Sequence, residues 1–299
     1  MSGGAPPDPF FSKGQNWGFP PLHPQALREQ GYRYLTDCLR HHMRRAGVLR
    51  IDHLMGLHRL YWVPHGMEAR EGAYVRYRPE ELYAVFSIES HRHRTVLVGE
   101  DLGTVPPEVH PAMERHRVGR MYVVQYEAKP EGQPLPPVPA GSVSSLNTHD
   151  MPTFAAFWRG LDVPDRQNLG LLDEAGAREE LARRQKVRHA LAAFLWKRGL
   201  LHGEAGLEAV LAGCLAYLAT QPSRIVLASL EDLWQETQPQ NTPGTWKERP
   251  NWKRKARYSL EEFRQMPAVV EQLRWLDEAM KGPGVPLPAL AECRAGGGK

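Results

Sequence analysis

Short apolar runs alternate along this chain with longer segments in which apolar residues recur every three or four positions. The first pattern predicts buried β-strands and the second predicts amphipathic helices. The predicted strands are residues 47–52, 95–100, 121–127 and 142–150, with a last one inside 224–233. The predicted helices are 24–45, 79–93, 105–116, two long ones within about 177–220, and one around 259–280. Strands and helices that alternate in this way favour parallel βαβ units and an α/β fold.

The ends of the chain follow a different pattern. Residues 1–22 are rich in Gly, Pro and aromatic side chains, which predicts an irregular loop. The residues from 281 to 299 predict a loose tail. Between these ends, residues 23–280 are expected to form the main domain, with a helical insertion at about 160–222.

Polar side chains gather at the C-terminal ends of the predicted strands. They are Asp52, Glu100, Gln125, Glu127, Asp150 and Asp232. In (β/α)8 barrels the loops that follow the strands form the active face, so polar residues collect there. A doubly wound sheet usually has a Gly-rich phosphate turn after a strand, and this sequence has none. The pattern therefore favours a TIM-barrel type of fold.

Three of these residues are carboxylic acids on separate strands: Asp52, Glu100 and Asp150. On a barrel face they would converge on one pocket. Retaining glycoside cleavage needs such a set, because one carboxylate attacks while another carboxyl group donates and accepts the proton. Arg50 lies two residues before Asp52, on the same face of the strand, and could keep that carboxylate ionised.

Each of these features also has a plainer explanation. A strand-end Asp is often a helix cap or the partner of a structural ion pair, and Arg50 with Asp52 could be such a pair. The segment Asn-Thr-His-Asp at 147–150 could be an ordinary turn. His53, His58 and His149 could suggest a metal, yet no HxH or HExxH spacing supports one.

Composition narrows the classes of function. The chain of 299 residues has a formal net charge of +4, and its Lys and Arg residues are scattered rather than gathered in a basic stripe. We therefore expect no nucleic-acid partner. Three separated cysteines without a CxxC pair predict neither a disulfide framework nor a zinc site. With no signal-like start and no apolar run of about 18 residues, the sequence predicts a cytoplasmic protein with no membrane attachment.

Five longer motifs, in this order, carry a resemblance to a known family. They are GAPPDPFFSKGQNWGFP (4–20), RIDHLMGLHRLYWVP (50–64), VGEDLGTVP (98–106), SLNTHDMPTFAAFW (145–158) and NTPGTWKERPNWKRK (241–255). Together they resemble the amylomaltases, bacterial 4-α-glucanotransferases related to the α-amylase clan, over nearly the whole chain to about residue 280. The resemblance implies disproportionation of maltodextrins, that is, transfer of α-1,4-glucan segments, with no metal and no organic cofactor.

The resemblance also implies a role for individual residues. Asp52 matches the nucleophile, Glu100 the general acid/base, and Asp150 the carboxylate that binds the ring hydroxyls of the distorted sugar. Further residues match positions that bind substrate or cover the site: Arg50, His149, Asn147, Trp17 and Asp8. Residues 1–22 correspond to the segment that covers the substrate.

The chain departs from the family in its number of strands. Family members carry all eight barrel strands in one chain, whereas five are predicted here, corresponding to about strands four to eight. We therefore expect an incomplete barrel and a glucanotransferase in a truncated or split form. Two alternatives remain: a catalytically silent remnant that only binds glucans, and a subunit active only with a partner polypeptide that carries the missing strands.

Overall fold

The structure is a computed structural model that describes residues 1–8 and 11–282. The chain divides into two units, Met1–Met121 and Tyr122–Lys299, a boundary that the sequence pattern does not predict. The predicted tail lies outside the described residues from residue 283 onward.

The first unit contains strands and helices in alternation. In chain order they are β1 (Ser2–Ala5), β2 (Gln15–Asn16), α1 (Pro24–Glu29), α2 (Arg33–Met43), β3 (Val48–Ile51), β4 (Arg59–Val63), β5 (Ala73–Arg76), α3 (Pro79–His93), β6 (Val96–Gly99) and α4 (Val109–Arg115). A 3-10 turn at Leu54–Leu57 separates β3 from β4.

Strands β3 and β6 form the parallel pair that positions the site of this unit. They align residue by residue from Val48 opposite Val96 to Ile51 opposite Gly99. Side chains of α2, α3 and α4 form the core beside them, including Leu39, Met43, Leu82, Phe86, Val109 and Met113. This arrangement confirms the predicted α/β class.

Helix α3 occupies the predicted range because its ends carry strong local signals. Pro79 stands in the first turn with Glu80 and Glu81, and the last turn is basic. Proline suits the first helical position, and charges of these signs complement the helix dipole. The predicted helix 24–45, in contrast, is two helices. Gly31 and Tyr32 adopt left-handed φ values and close α1 with bonds from Tyr32 N to Leu27 O and from Gly31 N to Arg28 O.

The prediction of an irregular loop over residues 1–22 is wrong in part. Strand β1 pairs antiparallel with both β2 and β4, giving a four-stranded sheet in the order β2-β1-β4-β5. Pairing between Ser2 and Val63 depends on residues far apart in sequence, and a local Gly-rich composition does not reveal it. Strands β4 and β5 are likewise absent from the sequence prediction.

The second unit is mainly helical around a small sheet. Its elements are β7 (Met121–Val123, whose first residue is the last of the first unit), α5 (Val124–Glu127), β8 (Val143–Ser145), α6 (Phe154–Arg159), α7 (Asp162–Asn168), α8 (Glu174–Lys197), α9 (Leu207–Ala219), β9 (Ile225–Leu227), α10 (Leu230–Leu233), α11 (Leu260–Phe263) and α12 (Pro267–Lys281). The sheet order is β7-β8-β9, with β8 and β9 parallel.

The core of this unit lies between α9 and its neighbours. Helix α9 is apolar on all sides and almost wholly buried, with Leu215 and Leu218 fully enclosed. A helix without a polar face must be surrounded by other elements, here α6, α8 and α12.

Two strand predictions in the second unit are too long. The apolar run at 121–127 ends as a strand at Val123 and continues as the helical turn α5. The run at 142–150 is a strand only over Val143–Ser145, and a turn closed by Met151 N and Thr148 O follows. No helix of residues 1–8 and 11–282 combines the length and hydropathy needed to cross a membrane.

Candidate active site

Asp52, the predicted nucleophile, follows β3 directly. Its side chain is 77 % exposed, and its Oδ1 accepts a hydrogen bond of 2.7 Å from Arg50 Nη1. The alternation of a strand places residues 50 and 52 on the same face, so the short separation in sequence becomes a direct ion pair.

Glu100, the predicted acid/base, follows β6 and is bound at four points. Its main-chain N–H donates to Ile51 O (2.8 Å) and its carbonyl accepts from Leu54 N (3.0 Å). Its carboxylate accepts from His53 N at Oε2 (2.9 Å) and from Leu102 N at Oε1 (2.8 Å). The parallel pairing of β3 with β6 therefore extends past both strands and fixes this side chain by main-chain groups.

The surroundings of Glu100 raise its pKa. Burial is the main cause, because a low-dielectric environment disfavours the charged carboxylate. The charge of Asp52 acts in the same direction, while the bonds from Leu102 N and His53 N and the charge of Arg50 oppose it. A raised pKa suits a group that must carry a proton before it donates one.

The residues beside Glu100 make room for it and anchor it. A Cβ atom on Gly99 would lie 2.3 Å from Leu54 Cδ2, so only glycine allows Leu54 to pack there. Asp101 is buried, and its carboxylate accepts from Arg120 Nε (2.8 Å) and from Met121 N (2.9 Å). These contacts fix the chain on both sides of Glu100.

Trp17 and His53 meet next to these carboxyl groups. Their ring centroids are 5.1 Å apart in an edge-to-face arrangement, and Trp17 is 36 % exposed. Burial lowers the pKa of His53, so its ring is mainly neutral at pH 7. Asp8 lies in the same unit, where its Oδ1 accepts from Phe11 N at 2.6 Å.

Asp150 belongs to the second unit, in the turn after β8. Its carboxylate accepts from Asn241 Nδ2 at 2.7 Å, and His149 Nε2 lies 3.0 Å from its other oxygen. The ring of His149 packs against Trp252, with centroids 5.7 Å apart, and Trp252 remains 62 % exposed. The contact with Asn241 joins the two predicted motifs 145–158 and 241–255.

Asn147 is held by Asp232, a strand-end acid that the sequence does not mark as a site residue. Its Nδ2 donates to Asp232 Oδ2 at 2.8 Å, and Asp232 Oδ1 accepts from Phe154 N at 2.7 Å. Burial raises the pKa of Asp232 to about 6. In the sequence, the position of Asp232 just after strand β9 is what could have identified it. Its near-complete burial shows that it anchors the turn that carries Asp150.

The predicted residues thus fall into two sets. Asp52, Glu100, Arg50 and Trp17 gather around the ends of β3 and β6, and Asp150, His149 and Asn147 gather after β8. Within residues 1–8 and 11–282, no group of three or more His, Cys, Asp or Glu side chains is placed to hold a metal ion.

Comparison with known proteins gives a consistent result. The family model for 4-alpha-glucanotransferase matches residues 1–261. The 4-alpha-glucanotransferase of Haemophilus influenzae is 37% identical over 263 residues, which are 84% of this chain and 37% of that protein. The one from Mycobacterium tuberculosis (strain ATCC 25618 / H37Rv) is 38% identical over 262 residues, 85% of this chain and 36% of its own length.

Solved structures agree with this result. Amylomaltase from Corynebacterium glutamicum superposes with a TM-score of 0.80 at 27% identity, covering 93% of this chain and 42% of that one. Amylomaltase from Streptococcus agalactiae in complex with acarbose has the same fold, with a TM-score of 0.67 at 17% identity, covering 93% of this chain and 50% of that one. The chain spans little more than a third of the length of the curated relatives it matches.

Proposed function

The chain belongs to the 4-alpha-glucanotransferase family, and on that basis we propose that it transfers α-1,4-glucan segments between maltodextrins by a retaining double displacement. One observation carries the proposal. Asp52 and Glu100 end two hydrogen-bonded parallel strands in opposite surroundings. Asp52 is exposed and paired with a guanidinium group, whereas Glu100 is partly buried and has a raised pKa. A retaining mechanism needs one ionised and one protonated carboxyl group side by side.

In the first step Glu100 donates its proton to the glycosidic oxygen. The carboxylate of Asp52 attacks the anomeric carbon, the bond from that carbon to the leaving oxygen breaks, and an ester to Asp52 forms. Arg50 holds the Asp52 carboxylate in place for the attack through the hydrogen bond from its Nη1. The leaving glucan departs with the proton from Glu100.

In the second step Glu100, now ionised, takes the proton from the 4-hydroxyl of an acceptor glucan. The acceptor oxygen attacks the same carbon and the ester to Asp52 breaks, so two inversions give net retention. The bonds from His53 N and Leu102 N stabilise Glu100 in this ionised state. Trp17, Asp8 and residues 1–22 contribute to the cover that favours a sugar over water as acceptor.

The residues of the second unit bind substrate in this proposal. Asp150 accepts hydrogen bonds from ring hydroxyls, with His149 and Asn147 beside it, and the reaction uses no metal or organic cofactor. The Asn241 amide and the His149 ring hold the Asp150 carboxylate in a fixed orientation.

We assign the protein to the cytoplasm because its described cysteines, Cys38 and Cys214, are both free thiols.

We also propose that the fold is an incomplete (β/α)8 barrel completed by a polypeptide that supplies further strands. Among the described strands, β3 pairs only with β6, and β9 only with β8. Apolar side chains are exposed along both, with Val48 at 44 % and Leu227 at 51 %. A parallel strand with open edges is unusual, since such strands are normally covered on both sides.

Mixing experiments with maltotriose test the function. The purified chain, alone and together with a polypeptide carrying the missing strands, is assayed for glucose release and for longer maltodextrins. We expect both products only in the mixture. Full activity of the chain alone would contradict the incomplete barrel. Binding of glucans without turnover, even in the mixture, would favour the second candidate, a silent glucan-binding remnant that keeps exposed aromatic residues such as Trp252.

A further inference from the structure

Glu100 is surrounded by one short segment of chain, residues 51–54. Ile51 O and Leu54 N bind its main chain, and His53 N binds its carboxylate. Two successive amides, those of His53 and Leu54, therefore point at the same residue. The two amides bind different oxygens: Leu54 N binds the main-chain carbonyl of Glu100, and His53 N binds Oε2 of its carboxylate.

His53 has a left-handed backbone conformation at the point where its N–H binds Glu100. Its φ is 43° and its ψ is 60°, in the left-handed region that a residue with a bulky side chain seldom occupies. Its carbonyl accepts from Gly56 N at 2.8 Å and so begins the 3-10 turn Leu54–Leu57. The turn and the bonds to Glu100 together hold the residue in this strained form, as is common beside functional groups.

The ring of His53 adds a second constraint. It is partly buried and packs edge-to-face on Trp17, whose main-chain N–H is in turn bonded to Gly3 O at 2.9 Å. The ring makes no hydrogen bond to Glu100, so the link between the two residues runs through the main chain.

We propose that His53 is a positioning residue for Glu100: its left-handed backbone conformation presents its main-chain N–H to the carboxylate, while its ring packs on Trp17. The consequence for the reaction rests on the proposed function, because it concerns Glu100 as the base of the second step. The donated hydrogen bond favours the ionised carboxylate. The other charges that act on Glu100, Asp52 and Arg50, are untouched by changes at His53.

Substitutions that differ in their tolerance of a positive φ test this proposal. Glycine adopts the left-handed conformation freely and asparagine does so readily, whereas β-branched valine avoids it. His53→Gly and His53→Asn therefore keep the N–H directed at Glu100, and His53→Val turns it away. Neither Gly nor Val retains the ring, so this pair separates the backbone from the side chain.

The measurement is a pH titration of the protein labelled with ¹³C in its Glu carboxyl groups, followed by NMR, with the Glu100 signal identified by its loss in Glu100→Gln. We expect His53→Gly and His53→Asn to titrate as the parent does, and His53→Val to titrate at higher pH. Two results would overturn the proposal. Either the Val and Gly variants both titrate as the parent does, or the Gly variant is shifted as far as the Val variant.

Two controls keep the result interpretable. Circular dichroism melts show whether each variant is folded, and His53→Ala, whose single Cβ also disfavours a positive φ, replaces His53→Val if the latter unfolds. The titration needs no turnover, whereas the maltotriose assay does. A parent that fails to transfer even in the mixture with the added polypeptide, but titrates as expected, would contradict the proposed function alone. Transfer in that mixture without the expected titration would contradict the role of His53 alone.

Discussion

The two units hold their strand-end carboxyl groups in different ways. In the first, Glu100 is bound by main-chain amides from two segments and stands beside the exposed, ion-paired Asp52. In the second, Asp150 is half exposed and is held by the side chains of Asn241 and His149. Main-chain donors cannot swing away, while side-chain partners can adjust to a ligand. The first arrangement suits proton transfer, and the second suits the binding of hydroxyl groups.

Both units also contain a fully buried carboxylate with a structural role. Asp101 anchors Arg120 and Met121 beside Glu100, and Asp232 anchors Phe154 and Asn147 beside the turn of Asp150. In each unit, then, an exposed or partly exposed acid is supported by a buried one. The acids proposed to act on the substrate therefore differ from the two anchoring acids, Asp101 and Asp232. Substitutions of the first kind should change activity, and those of the second kind should change stability.

The largest effect is expected from Asp52→Asn. The amide cannot form the ester intermediate, so the transfer rate falls by about four orders of magnitude, as removal of a reacting group does elsewhere. Maltotriose disproportionation, measured in the mixture with the added polypeptide, checks the rate, and isothermal titration calorimetry with maltodextrin checks that binding is retained. Asp37→Asn, an exposed carboxylate of the same unit, is the matched control and keeps the parent rate. A fall of less than tenfold in Asp52→Asn would contradict its role.

A second prediction concerns the buried anchor of the first unit. Asp101→Ala leaves the Arg120 guanidinium and the amide of Met121 without their acceptor, and the free energy of unfolding falls by about 4 kcal/mol. Urea unfolding measures this change. Glu114→Ala, at an exposed position on α4, should change stability by less than about 0.5 kcal/mol. Equal stabilities of the two variants would show that Asp101 anchors nothing.

The anchor of the second unit predicts a dependence of stability on pH. Because burial raises the pKa of Asp232 to about 6, above its ordinary value, the folded protein binds this proton more tightly than the unfolded chain. The free energy of unfolding therefore decreases by about 3 kcal/mol as the pH rises from about 4 to about 6, and does not change further at higher pH.

Asp232→Asn provides the check, because asparagine does not titrate. Urea unfolding at a series of pH values should give a variant curve without this decrease. The stability of the variant relative to the parent therefore increases as the pH rises. Parallel curves for the two proteins between pH 4 and 7 would contradict the assignment.

The smallest effect is expected from Asn241→Ala, which removes the side chain that orients the Asp150 carboxylate. Loss of one ordinary hydrogen bond near the surface predicts glucan binding weakened by about threefold, with little change in stability. Calorimetric titration with maltodextrin measures it against Asn168→Ala, at the exposed end of α7. Unchanged affinity would contradict the idea that Asn241 orients Asp150 for binding.

Local signals account for the parts of the fold that the sequence predicts. Helix α3 has a proline start and complementary charges at both ends, and β3 and β6 are short apolar runs, so each is visible within a few residues. The pairing of Ser2 with Val63 joins residues far apart in the sequence, and the closure of α1 depends on the left-handed conformations of Gly31 and Tyr32. The spacing of apolar residues identifies neither.

The candidate site shows the same division. The types and order of Asp52, Glu100 and Asp150 follow from the sequence, and so does the ion pair of Arg50 with Asp52, since alternate residues share a strand face. The environment of Glu100 does not follow from the sequence. Two of its bonds come from the amides of His53 and Leu54, whose direction depends on the left-handed conformation of His53. The sequence shows Asp232 as a further strand-end acid, and its burial in the structure separates it from the acids proposed to act on the substrate.

The central claim is that Asp52 forms a covalent ester with the transferred sugar while Glu100 supplies and removes the proton. Glu100→Gln, incubated with maltosyl fluoride in the mixture with the added polypeptide, tests it directly. Fluoride leaves without a proton, so the first step proceeds, whereas the second lacks its base and the ester accumulates. Mass spectrometry of the digested protein should find one maltosyl group on the peptide containing Asp52. A label on another residue, or none at all while the parent enzyme turns over the same substrate, would contradict the account.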